Sequence, residues 1–202
     1  MKTTILTIFT ALVLSSGIAK TTAASTAKNE NVTVLSGISA INKIEVHGNV
    51  ELYISDGASD KVKVYNKYYS ESALVQSTNG VLRISSYKAE KLVVWVTAND
   101  LRSISAFDNA EIKSFGDVSK IEFNVELHNN ASAKLDLNAF NANVTVNDQA
   151  KVNLSGSVDE CELKYDHAEN VNYSELKTGR TTKTPATVAS VKKSDFDELA
   201  NL

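Results

Sequence analysis

Acidic and amide side chains recur ahead of alanine at near-constant intervals: Asp108-Asn109-Ala110, Asn129-Asn130-Ala131, Asp148-Gln149-Ala150 and Asp166-His167-Ala168. If these segments stack in register, successive copies lie about 4.8 Å apart. Asp108, Asn129, Asp148 and Asp166 then form one column, and Asn109, Asn130, Gln149 and His167 the next. A calcium ion could bridge the carboxylates of Asp148 and Asp166 at that separation, and a retaining glycosidase holds its acid pair at about 5 to 5.5 Å. A structural role competes with both. Asx residues favour turns, and stacked amides bond along a column. The structural role is preferred, because no third acid, Arg or aromatic subsite is evident beside the pair. Asp108, Asp148 and Asp166 are kept as candidate ligand contacts. No catalytic residue, metal ligand or cofactor is assigned.

Aromatic residues of the first half form a second candidate. With Leu52, Val64 and Val94 turned inward, strand parity sends Tyr53, Tyr65 and Trp95 outward. They could stack on sugar rings or anchor a protein partner. Large aromatic patches are uncommon on monomer surfaces, so cover by another part of the chain is the preferred reading. Other chemistries find little support. His47, His128 and His167 lack zinc-ligand spacing. No Gly-x-Ser-x-Gly, Ser-x-x-Lys or phosphate-cradling loop occurs. Cys161 has no activating partner nearby in sequence and reads as a small buried apolar residue.

The elements that must carry these residues are strands. Ile44 and Val46, then Val50, Leu52 and Ile54, Val62 and Val64, Leu82 and Ile84, and Leu92, Val94 and Val96 recur at period two. The breaks have turn chemistry, at His47-Gly48-Asn49, Asp56-Gly57, Asn79-Gly80 and Asn99-Asp100. In the second half, Ile104-x-Ala106, Val125-x-Leu127, Val144-x-Val146 and Leu163-x-Tyr165 each precede one of the corner alanines, which stand 21, 19 and 18 residues apart. Alternation resumes after each. Like-directed strand pairs at such a period predict stacked rungs of a parallel β-solenoid, each burying its apolar face against its neighbours. An immunoglobulin-like sandwich would reverse direction at each hairpin and would not repeat one corner residue.

The run Ile41-Asn42-Lys43-Ile44-Glu45-Val46-His47-Gly48-Asn49-Val50-Glu51-Leu52-Tyr53-Ile54, with Val62-Lys63-Val64, Asn79-Gly80-Val81-Leu82-Arg83-Ile84 and the alanine-cornered rungs, resembles the auto-transporter adhesin head GIN domain family of exported Bacteroidetes-type bacteria. The resemblance covers about residues 38–173. It implies an all-β, right-handed single-stranded parallel β-helix with rungs of about 18–21 residues, and an adhesin or cell-surface role. Family corners usually read Ser-Gly-Ala; here the alanine is kept and the two residues before it are larger and more polar.

Composition bounds the rest. The 202 residues are 43% hydrophobic and 22% charged, with one Pro, eight Gly and one Cys, which excludes collagen-like, Pro-rich and disulfide-framework proteins. Nineteen Asn point to many turns. Lys2, the apolar run from Ile5 to Ile18 and small residues Thr22 to Ala24 read as a secretory signal peptide. No Cys follows that run, so a lipoprotein is not expected. Removing Lys2 and Lys20 would take the net charge from −3 to −5 (19 basic against 24 acidic), a poor basis for binding nucleic acid or anionic membrane. The expected organisation is a signal peptide over 1–24, an N-terminal lead over 25–37, the β-domain over 38–173 and a polar tail over 174–202. Within that tail 177–193 reads as loosely attached, and a short helix, capped by Ser194, either frays or docks near Tyr173. The expected function is non-catalytic binding of a glycan or cell-surface protein by an exported protein, periplasmic, outer-surface or secreted. A polysaccharide hydrolase or lyase and an inert envelope scaffold are the alternatives.

Overall fold

The computed structural model describes residues 32–38, 40–65 and 73–186. The signal-peptide segment and the Ser194 helix lie outside them. Thirteen strands form one continuous curled sheet: β1 (Val32–Leu35), β2 (Lys43–Gly48), β3 (Val50–Asp56), β4 (Lys61–Tyr65), β5 (Ala73–Thr78), β6 (Val81–Ser86), β7 (Leu92–Ala98), β8 (Ser103–Ala106), β9 (Glu111–Ser114), β10 (Val118–Leu127), β11 (Ser132–Val146), β12 (Lys151–Tyr165) and β13 (Val171–Pro185). Among the described residues the one helical segment is a 3-10 turn at Ala168–Asn170. The all-β expectation therefore holds, and none of these elements is a helix long and apolar enough to cross a membrane.

Parallel pairing organises most of the sheet. One ladder runs β6-β2-β8-β10-β11-β12-β13 and places Leu82, Ile44, Ile104, Val125, Val144 and Leu163 in one register row. A second runs β7-β3-β9-β11-β12-β13 and aligns Val94, Leu52, Ile112, Ala133, Val152 and Val171. β10 to β13 add a third row, Val118, Leu137, Gly156 and Leu176. The alternation read in the sequence is the reason these rows face inward: in β2, β3 and β7 every second side chain is buried. Removing each such Val, Leu or Ile from water stabilises the fold by about 1.5–3 kcal/mol. Antiparallel pairing occurs at one end only, where β4 joins β7, β1 joins β4, and β5 joins β6 through the Asn79-Gly80 turn. Both turn residues have positive φ, 50° and 80°, the geometry that makes Asn-Gly a hairpin signal.

Close packing shows in two places. Phe123 is fully buried, and its row partners Ala142 and Cys161 are small, so one large ring is accommodated by two short side chains. Gly156 has φ +99°, and a Cβ there would lie 2.1 Å from the Leu137 carbonyl oxygen, so no other residue fits.

Two expectations change. The tail expected from Lys177 is part of β13, which stays paired with β12 from Ser157–Lys177 to Tyr165–Pro185. From Lys177 onward its inward row positions are polar: Thr178 aligns with Val158, Thr181 with Cys161 and Lys183 with Leu163. The Thr178 and Thr181 hydroxyls bond at 2.8 Å, and Lys183 Nζ lies 4.6 Å from the Tyr173 ring centre. The last strand thus closes the apolar interior with groups that water can reach. Ala168, expected as a fourth corner alanine, is instead exposed in the 3-10 turn. The corner keeps its length, since Val146 with Tyr165 before it and Val152 with Val171 after it are both offset by 19 residues; Glu169, not Ala168, stands at the position of Ala150.

Phe123→Ala is expected to lower stability by about 3–5 kcal/mol, since Ala142 and Cys161 cannot fill the space left behind; urea unfolding of the two proteins measures the difference.

Candidate functional site

The corner residues are shaped by a four-residue turn. The N–H groups of Ala110, Ala131 and Ala150 donate to the carbonyls of Phe107, His128 and Asn147 at 3.2, 3.1 and 3.1 Å. Each turn needs a left-handed residue at its first central position, and Asp108, Asn129 and Asp148 supply it with φ of 61°, 59° and 57°. Asp and Asn tolerate that conformation better than other residues with a side chain. All three alanines are completely buried.

The corner side chains point along the stack. Gly48 N–H donates to Asp108 Oδ2 at 3.0 Å, Asp108 N–H to Asn129 Oδ1 at 3.2 Å, Asn129 N–H to Asp148 Oδ2 at 2.8 Å and Asp148 N–H to Asp166 Oδ2 at 2.6 Å. The structure brings Asp108, Asp148 and Asp166 into one column, joined by side chain to main chain bonds where amide-to-amide bonds were expected. In the neighbouring column only Gln149 and His167 approach, with Nε2 to Nε2 at 3.4 Å. Chemically, the column fixes register: each of these carboxylates has an oxygen committed to a backbone donor. An amide rung of the expected kind lies elsewhere, Asn143 Nδ2 donating to Asn124 Oδ1 at 2.9 Å.

A third column, one residue earlier in each turn, escaped the sequence reading. His47 stacks on Phe107 at 4.4 Å between ring centres and Phe107 on His128 at 4.7 Å, with interplanar angles of 3° and 8°. Asn147 Nδ2 continues it to His128 Nδ1 at 3.2 Å. The only signal for it was the shared position just before each Asx residue.

Tyr53, Tyr65 and Trp95 are also brought together. Tyr53 and Trp95 stack at 4.6 Å with a 19° interplanar angle, Tyr65 meets Trp95 at 6.4 Å, and Phe115 tilts against Trp95 at 5.2 Å. Lys113 Nζ sits 5.7 Å from the Tyr53 ring centre. The rings cover one another, so their edges are turned to solvent more than their faces. Around them runs a charged network. Tyr53 donates its hydroxyl to Glu51 Oε1 at 2.8 Å, Lys113 Nζ reaches Glu51 Oε1 at 2.5 Å and Glu111 Oε2 at 3.5 Å, and Lys91 reaches Glu111 Oε1 at 2.5 Å. The hydrogen bond from Lys113 holds the Glu51 carboxyl below its ordinary range, and the Glu51 bond raises the Tyr53 phenol. Burial pushes the Cys161 thiol up to about 11, which removes its thiolate at neutral pH.

The family described as "Putative auto-transporter adhesin, head GIN domain" matches residues 40–192. The chain belongs to this family. Solved structures share the fold of this head GIN chain. One, described as a putative adhesin from Bacteroides fragilis, is 14% identical with a TM-score of 0.67, covering 76% of each chain. A second, described as a putative adhesin from Parabacteroides distasonis, is 14% identical with a TM-score of 0.55 over 75% of this chain and 76% of that one. A third, from the same organism and described as a putative lipid binding protein, is 10% identical with a TM-score of 0.50 over 75% and 76%. No curated protein matches the head GIN chain.

Two outcomes check this geometry. Asp148→Ala should lower stability by about 1 kcal/mol, because the Asn129 N–H loses its acceptor, whereas Asp148→Asn keeps an oxygen there and should change little; parallel denaturation curves decide. Glu51 has a lowered folded-state pKa, so its stabilisation is complete above the unfolded carboxylate value of about 4.3 and is lost as pH falls through the folded one. Glu51→Gln should flatten that part of the acid limb in a melting-temperature profile from neutral to acid pH.

Proposed function

We propose that this head GIN chain is an exported, non-catalytic binding protein that acts at the cell envelope or outside it, through the outer faces of its sheet. The observation that carries the reading is the family match across residues 40–192. The corner geometry supports it, since Asp108, Asp148 and Asp166 each commit one carboxylate oxygen to a main-chain donor and so serve architecture. The reading includes a right-handed parallel β-helix. The parallel rows support that winding, because the chain returns to each row after about one rung, as Val125, Val144 and Leu163 do. Export rests on the Lys2 and Ile5–Ile18 pattern, with cleavage near Ser25.

A glycan array combined with pull-down from the native cell surface tests the binding role. A specific glycan or surface protein should be retained, while a polysaccharide panel shows no new reducing ends. Release of reducing ends that disappears with Asp148→Asn and Asp166→Asn would replace this reading with a carbohydrate-active enzyme. A blank array with an empty pull-down would leave an inert scaffold.

A further inference from the structure

One outer row of the sheet differs from the others in charge and shape. Register places Lys63, Trp95, Tyr53, Lys113, Lys134 and Asn153 side by side across β4, β7, β3, β9, β11 and β12. Five strand-to-strand steps make this a straight line of about 24 Å. Lys113 and Lys134 are direct neighbours, an arrangement of like charges that costs stability. Lys113 is compensated by Glu51 and Glu111. Lys63 and Lys134, both exposed, pair with no carboxylate among the described residues, and the same holds for Lys151 beside the row. Glu51 and Glu111 stand in the Lys151 row, where Lys113 and Lys91 engage them, and the carboxylates of Asp136 and Glu175 fall in the row on the other side, aligned through Ser155. A chain whose net charge is −3 thus carries a cationic strip.

The aromatic pair reinforces the sign. An aromatic ring is negative on its face and positive at its edge. The faces of Trp95 and Tyr53 are taken by each other, by Tyr65 and by Lys113, so the electropositive edges are what the surface presents. We propose that this row is a binding track for an extended anionic polysaccharide, its carboxylate or sulfate groups meeting Lys63 and Lys134 and its ring and hydroxyl oxygens lying along the electropositive Trp95–Tyr53 edges. The proposal rests on the binding role above. A linear track suits a polymer better than a single small anion. Phe115, 64% exposed, is an apolar side chain beside Trp95, but the cationic groups run the length of the row, which favours a polymer over a lipid surface.

Electrophoresis of the exported protein through gels containing polygalacturonate tests the track, with dextran gels as the neutral comparison and phosphatidylglycerol vesicles as the lipid one. Polygalacturonate should retard the protein, dextran should not, and the retardation should weaken as salt rises from about 0.05 to 0.15 M. The double variant Lys63→Gln/Lys134→Gln should bind about fivefold more weakly, as two exposed charge contacts allow. Lys164→Gln, on the other ladder and already paired with Glu162, should bind as the native chain does. Equal melting temperatures show that the variants are folded, since all three lysines are exposed. Equal retardation of the double variant, equal retardation in dextran, absence of any retardation, or binding to vesicles alone would each overturn the track. If the array and pull-down still return a partner in those cases, the binding role stands and only its location fails. A blank array removes the role itself.

Discussion

Each return of the chain to the same row depends on turning the corner with the same number of residues and the same backbone twist. The side chain to main chain ladder through Asp108, Asn129, Asp148 and Asp166 enforces this, since a slip of one residue would break the bond above and the bond below together. It would also turn every apolar side chain of the strand to the outside. The left-handed conformation at Asp108, Asn129 and Asp148 is thus both the device that reverses the chain and the reason an oxygen points along the stack. The inward rows of Val, Leu and Ile supply most of the stabilisation; the corner decides which rows they form.

The same ladder separates architecture from recognition. Each corner Asp and Asn129 give one side-chain oxygen to the fold, and the stacked His47, Phe107 and His128 rings are likewise turned on one another. The outward half of each strand offers a partner a larger surface. There the register that aligns the core also aligns surface groups into straight rows, whose sign and polarity vary across the molecule. Charge on such a surface is ordered by the backbone, with little freedom to rearrange.

The sequence exposes the core rows well, because a strand with one wet face must alternate, and Ile44, Leu52, Val94 and Val144 do so plainly. It exposes the corners by their period. It is less informative where the physical demand is different. β5 has no clean alternation, since Ala73–Thr78 is an outer strand of a hairpin. The β13 residues from Lys177 onward look like a polar tail because among the described residues no further strand pairs with β13, and Thr178, Thr181 and Lys183 replace apolar residues at inward positions. Ala168 misleads because the corner is rebuilt as a 3-10 turn of unchanged length, in which Glu169 holds the place of the alanine. The aromatic group is legible as outward from parity, but that its rings would stack on each other depends on the order β4, β7, β3, β9, which crosses the sequence order and leaves no local trace.

That polar last strand has a consequence for how such a molecule can change in length. Its inner positions from Thr178 onward are polar and ill suited to carry a further apolar row, while the strands at the opposite end are turned antiparallel and cannot be continued in the same sense. Neither end accepts another rung without being rebuilt. The interior does: β10, β11 and β12 present nearly the same inward pattern, and β10 and β11 end in the same corner, so a duplicated segment entering between them would find matching rows on both sides. Growth or shrinkage of the stack is therefore confined to its middle, and the two ends are carried along unchanged.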